Sequence, residues 1–223
     1  MGDGEADWAP PRSPETWAKW STSASPNPPK EKRTDMKTPI SLMDTAHRHR
    51  ETGTPTEMLR HEHEVILRAL TLLEGIGQGL EAGQPVDRKA LGWLRDFFGT
   101  FADKCHHGKE EQHLFPAMER HGVPREGGPL GVMLHEHEEG RALVRAMAQD
   151  DDHQVAEAIR GYTTLLRAHI DKENEVLFPL AEELLPGAEQ KDLLAAFEAV
   201  EAIVAGPGLH ERLLAELARF EAS

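Results

Sequence analysis

HHGKEEQHLFP (106–116) and HIDKENEVLFP (169–179) agree at six of their eleven positions. The shared pattern is H···KE···LFP at fixed offsets, so His106 matches His169, Glu110 matches Glu173 and Pro116 matches Pro179. In each copy the histidine and the glutamate stand four apart, one turn along one face of a helix. A second duplicated segment, HEHE, occurs at 61–64 and again at 135–138, each time upstream of one of the longer motifs. The order is A-B-A′-B′, a helix pair used twice.

The surrounding sequence supports helices throughout. An apolar-periodic run begins at Thr56 (Met58, Leu59, Ile66, Leu67, Leu70, Leu73) and is expected to end in GIGQGLEAG. A second helix is predicted over about 87–120, with Pro116 placed to kink its end. HGVPREGGP reads as a loop. Further helices are predicted over about 130–149, 152–184 and 189–204, and a short amphipathic one over 208–221 after a GPG break. No stretch alternates with period two for long enough to make a sheet. The expected fold is all-α: an antiparallel four-helix bundle over 56–185, with short C-terminal helices at 186–223 packed on it. Residues 1–55, rich in Pro, Ser, Thr, Gly and charge, read as a disordered extension. Trp8, Trp17 and Trp20 lie within it, and Met36 and Met43 are alternative starts.

Helical phase sorts the histidines. At about 100° per residue, positions two apart face opposite ways, so only one histidine of each HEHE can point at the core. His63 shares a face with Leu59, Ile66, Leu67 and Leu70, while His61 falls on the outer side. His137 groups with Leu130, Met133 and Val144, and His135 lies opposite. His169 shares its face with Leu165, Val176 and Leu180. A lone HxxxE is usually a solvated surface pair. Two copies on apolar stripes are not, because burying imidazole and carboxylate is costly unless they are paired or bind metal. Six inward groups result: His63, His106, Glu110, His137, His169 and Glu173. Mixed imidazole and carboxylate donors suit iron, manganese or zinc, and six are too many for one tetrahedral zinc.

Composition excludes other classes. The 223 residues carry a formal charge of −14, which disfavours nucleic acid and anionic membrane surfaces. No run approaches the length of a membrane span, no secretory signal is visible, and the chain is expected in the cytoplasm. The single cysteine, Cys105, reads as a buried small hydrophobe.

The series His63, His106–Glu110, His137, His169–Glu173 resembles the hemerythrins in their HHE cation-binding branch. HHGKEE, LFP, HEHEEGRALV and HIDKENEVLFP look most like the bacterial cytosolic members, over about 56–185. The resemblance implies a di-iron centre: two non-haem irons joined by an oxo or hydroxo bridge, with both glutamates bridging and the histidines capping. It also implies a small partner, namely O2, peroxide or nitric oxide. Two departures stand out. Oxygen carriers have a histidine where this chain has Met133, and their last motif is HxxxxD where this one is HxxxE. One imidazole is therefore missing, and His107, Glu111, His113 and Tyr162 are the candidates to replace it. His61 and His135 are expected to be surface or supporting groups, and the glutamates of HEHE are not the bridging pair. The more open site favours catalase-like decomposition of peroxide. The alternatives are a module that senses, stores or carries O2, nitric oxide or iron without turnover, and a structural cation site holding zinc.

Overall fold

The computed structural model describes residues 53–204, 206 and 209–222. The expectations for residues 1–52, including the three tryptophans and the alternative starts, lie outside the described residues. Every regular element among the described residues is helical, and none is long and apolar enough to cross a membrane.

α1 spans Pro55–Glu81 and starts from a capping box. The Thr54 hydroxyl accepts from Glu57 N (3.2 Å), and the Glu57 carboxylate accepts from Thr54 N (2.7 Å). The glycine-rich stretch ends this helix as expected, where Ala82 caps it and Gly83 takes a φ of 65°, but only at its last residues: α1 continues through Gly75, Gly77 and Gly79 to Glu81. The reason is packing. A Cβ on Gly77 would sit 2.7 Å from Ile159 Cγ2, and one on Gly79 would sit 2.9 Å from Val86 Cγ1. These glycines therefore let neighbouring segments approach closely.

α2 begins as Arg88–Phe97, capped by Asp87, whose carboxylate accepts from Lys89 N and Ala90 N. It then widens into π-helical Phe98–His107 and Glu110–Leu114 before a last α-helical stretch, Phe115–Arg120. α3 is Pro129–Ala146. α4 is Asp152–Lys172, capped by Asp151 and continued by π-helical Glu173–Leu177 and α-helical Phe178–Leu184. Pro116 and Pro179 each occupy the first turn of the α-helical stretch that follows a π-helical one. An absent N–H costs least there. α5 is Gly187–Val204 and α6 is Leu209–Glu221.

Two apolar clusters bracket a polar layer. One holds Ile66, Leu70, Leu73, Phe97, Phe98, Phe101, Tyr162 and Leu166, and the other Leu59, Leu114, Phe115, Met118, Met133, Leu177 and Phe178. On α1 the chain passes from the second cluster at Leu59, through His63, to the first at Ile66. On α2 it passes the other way, from Ala102 through His106 and Glu110 to Leu114. α3 repeats the sense of α1, and α4 that of α2. α5 contributes Phe197 and Leu193 to the second cluster, and α6 contributes Leu214 and Leu217 to the first. Arg68 holds α6 through a bidentate pair with Glu221 (2.9 and 2.7 Å).

Candidate metal centre

The polar layer contains His63, His106, His107, Glu110, His137, His169 and Glu173, all of them buried. Four imidazoles are held by their outer nitrogen. Nδ1 of His106 lies 2.8 Å from Glu62, that of His169 2.8 Å from Glu136, that of His137 2.7 Å from Glu111 and that of His63 2.9 Å from Asn174 Oδ1. Every one of these partners is an oxygen acceptor. Each Nδ1 therefore carries a proton; Nε2 of His63 and of His106 faces the interior without a hydrogen-bond partner, while Nε2 of His137 and of His169 lie 3.1 Å apart as hydrogen-bond partners.

Those four Nε2 atoms face two carboxylates. Glu110 Oε1 lies 3.6 Å from His106 Nε2, and its Oε2 lies 3.5 Å from His137 Nε2. Glu173 Oε2 lies 3.1 Å from His63 Nε2, and its Oε1 lies 3.2 Å from His169 Nε2. Each carboxylate thus gives one oxygen to the His63/His106 side and the other to the His137/His169 side. The donor atoms fall into two groups, each within 4.8 Å: His63, His106, Glu110 and Glu173, and His107, Glu110, His137 and His169. Lone pairs converging on lone pairs repel unless a cation lies between them. Both oxygens of Glu110 and of Glu173, Nε2 of His63 and of His106, and both nitrogens of His107 have no hydrogen-bond partner. Buried polar atoms are rarely left so, and the donor set fits metal ions.

Protonation follows the same logic. Burial pushes His106 down to about 3 against the pull of Glu62, and burial with His107 and His169 beside it holds His137 well below the usual range. Burial opposes a charge on His169 too, but Glu173 and Glu136 prevail and raise it to about 9. Burial and the Glu173 carboxylate raise Glu110 well above the usual carboxylate range. Burial would raise Glu173 as well, yet His169 and His63 hold it low.

The six inward residues read from sequence all reach this layer. His107 joins them, its ring stacked 3.9 Å from that of His137. In an α-helix His106 and His107 would diverge by about 100°. The wider π turn of Phe98–His107 brings both inward. The other candidates lie elsewhere. His61 is exposed beside Glu64, His135 is exposed, and His113 lies half-buried against Phe197. Glu111 supports His137 and is itself tied to Arg141 (2.6 Å). Tyr162 is buried edge-on to Phe98 and lines a cavity of about 460 Å³ whose inner wall is His107 and His137. Met133 is wholly buried in the apolar cluster. Cys105 is buried, and its thiol is pushed up to about 12, first by burial, so it is not a thiolate donor.

Sequence reasoning missed the supporting groups. Glu62 accepts from His106 and pairs with Lys109, while Glu136 accepts from His169 and pairs with Lys172. The signal was present, since Lys109 and Lys172 are the K of the duplicated H···KE, and Glu62 and Glu136 are the first E of each HEHE. Burial raises and Lys109 and His106 lower Glu62, which ends well below the usual carboxylate range.

Residues 54–181 match the family model of the hemerythrin HHE cation-binding domain. The chain belongs to the hemerythrin HHE family. Among curated proteins, it is similar to uncharacterized proteins of Mycobacterium bovis and of two strains of Mycobacterium tuberculosis. Each is 27% identical over 156 residues, covering 65% of this chain and 60% of the relative. The chain thus spans well under two thirds of the length of these relatives. No solved structure gives a significant match. Membership of a cation-binding family and the buried His/Glu clusters together point to metal binding.

Proposed function

We propose that this hemerythrin-family chain holds two non-haem irons within an antiparallel four-helix bundle spanning 56–185. Helices α5 and α6 pack on that bundle. The observation that carries the reading is the convergence of four Nε2 atoms and four carboxylate oxygens, of which Nε2 of His63 and of His106 and all four oxygens have no hydrogen-bond partner. On this reading His63 and His106 would hold one iron, His107, His137 and His169 would hold the other, and the carboxylates of Glu110 and Glu173 would serve both. The bound pair supplies two-electron chemistry toward O2 or peroxide, and nitric oxide is a further ligand.

The protein's own part is to bind, orient and exclude water. Glu62, Glu136, Glu111 and Asn174 fix each imidazole's tautomer and aim. Phe178 stacks on His63 (5.4 Å, 11°) and gives that ring an apolar neighbour. The His63/His106 side has fewer nitrogen donors, so the small ligand binds there. We place the protein in the cytoplasm, acting on hydrogen peroxide by disproportionation to water and O2.

Metal content, the optical spectrum and O2 evolution test this on protein made in iron-replete cells. Two irons per chain with O2 release above that of free iron is the expected result. Two irons without O2 release would leave a carrier, store or sensor of O2, nitric oxide or iron. A single zinc per chain would overturn the di-iron reading.

A further inference from the structure

Outside the donor set lies a second buried charge cluster made of Glu62, Lys109 and Glu201. Lys109 Nζ donates to Glu62 and to Glu201 Oε1, the latter at 2.6 Å. Lys109 is 0% exposed, Glu62 1% and Glu201 33%. Glu201 comes from α5, which lies beyond the duplicated helix pairs. The matching pair in the other half, Lys172 and Glu136, is 25% and 12% exposed, so solvent screens it more. The two outer nitrogens of the B and B′ histidines thus meet different surroundings. His106 meets Glu62, whose buried Lys109 partner is shared with Glu201, and His169 meets Glu136, whose Lys172 partner is a quarter exposed.

We infer that Glu201 is a positioning residue for the metal centre: by sharing Lys109 with Glu62, it sets the electron-donor strength of His106. With Glu201 present, the ammonium is divided between two carboxylates and the cluster keeps one net negative charge. Glu62 then pulls harder on the His106 Nδ1 proton, and Nε2 becomes a stronger donor. Without the Glu201 charge, Lys109 neutralises Glu62 alone and that pull weakens. α5 therefore adjusts the His63/His106 position. The inference rests on the two-metal reading above.

The test is titration of metal-free full-length chain with Co(II), followed by ligand-field absorption. Wild type, Glu201→Gln, Lys109→Met/Glu201→Gln and Glu198→Gln are compared. Glu198 is exposed on the same helix and controls for the change of charge. Glu201→Gln should weaken one of the two Co(II) equivalents about tenfold, the low end of what supporting partners cost, and Glu198→Gln should not. The double variant restores one net negative charge and should return that equivalent to wild-type affinity and spectrum. Identical isotherms for Glu201→Gln and Glu198→Gln would overturn the inference. So would a double variant as weak as Glu201→Gln, because the lost contact and not the charge would then matter. If Glu201→Gln does not fold, the double variant alone decides: equality with wild type is expected, and tighter or weaker binding refutes. A wild-type chain that takes up fewer than two Co(II) ions would sink the two-metal reading itself.

Discussion

Removing the metal should cost this protein a large part of its stability. Five side chains, His63, His106, His107, Glu110 and Glu173, carry buried nitrogen or oxygen atoms with no hydrogen-bond partner. A buried polar group left unsatisfied costs about 1–3 kcal/mol, so the five together cost on the order of 5–15 kcal/mol. That equals the whole net stability of a typical domain, ~5–15 kcal/mol. Protons offset part of it, because His169, raised to about 9, and Glu110, also raised, take up protons when no cation is present. The low end of the range is therefore the working figure. At ~2–4 °C per kcal/mol for a chain of this size, the melting temperature should fall by about 10 °C or more. The assay is thermal unfolding followed by far-ultraviolet circular dichroism, on iron-loaded protein and on the same protein after chelation and dialysis. Re-addition of Fe(II) under anaerobic conditions should restore the original melting temperature. A chelated protein that melts within a degree or two of the loaded form would refute the reasoning, because the orphaned donors would then carry no cost for a metal to relieve.

Metal affinity should fall with acid: below about 9 His169 holds a proton in the metal-free chain, so a cation must displace it. Co(II) binding should weaken at least about tenfold per pH unit between pH 8 and 7, with proton release seen by calorimetry in two buffers; absence of released protons would count against the assigned set. His107→Ala should leave a chain that takes up one metal tightly and the second weakly, whereas His61→Ala, at a side chain 45% exposed, should bind both like wild type; metal counts after desalting decide. Glu136→Gln should weaken metal binding about 10–100-fold while leaving the helical circular dichroism unchanged, and equal affinity in variant and wild type would show that Glu136 does not orient His169.

The helices and the six inward groups were legible because both follow from one regularity. A 3.6-residue period places His63, His137 and the two HxxxE pairs on the apolar stripes, and duplication supports each assignment with a second copy. His107 was legible only as one of four candidates for a missing imidazole, because its inward aim depends on the π-helical winding of Phe98–His107, and the period of apolar residues does not reveal winding. The glycines of GIGQGLEAG mark the end of α1, but only Gly83 stands at that end, while close approach to Ile159 and Val86 makes Gly77 and Gly79 part of the helix's packing face. Glu62 and Glu136 sit beside the inward histidines in sequence. Their partners are on other helices, so only the three-dimensional arrangement shows what they support.

The duplication explains the symmetry of the site, and its imperfections explain the asymmetry. Each A helix supplies a histidine held by the B helix of the other pair: His63 by Asn174, and His137 by Glu111. Each A helix also supplies a glutamate that holds the histidine of its own B helix: Glu62 holds His106, and Glu136 holds His169. Each pair aims its own B-helix imidazole but not its A-helix one, so the full donor set is oriented only where both pairs meet. Within the eleven-residue motif, two differences bear on the metal centre. Glu111 stands opposite Asn174, which makes the support of His137 anionic and that of His63 neutral. His107 stands opposite Ile170, which is buried among apolar side chains on a stretch of α4 that keeps ordinary α winding. A third imidazole therefore reaches the His137/His169 side, and none reaches the His63/His106 side. On the two-metal reading proposed above, two otherwise equivalent positions would differ by one imidazole donor, and the His63/His106 side, with fewer donors, would be the one left to a small ligand.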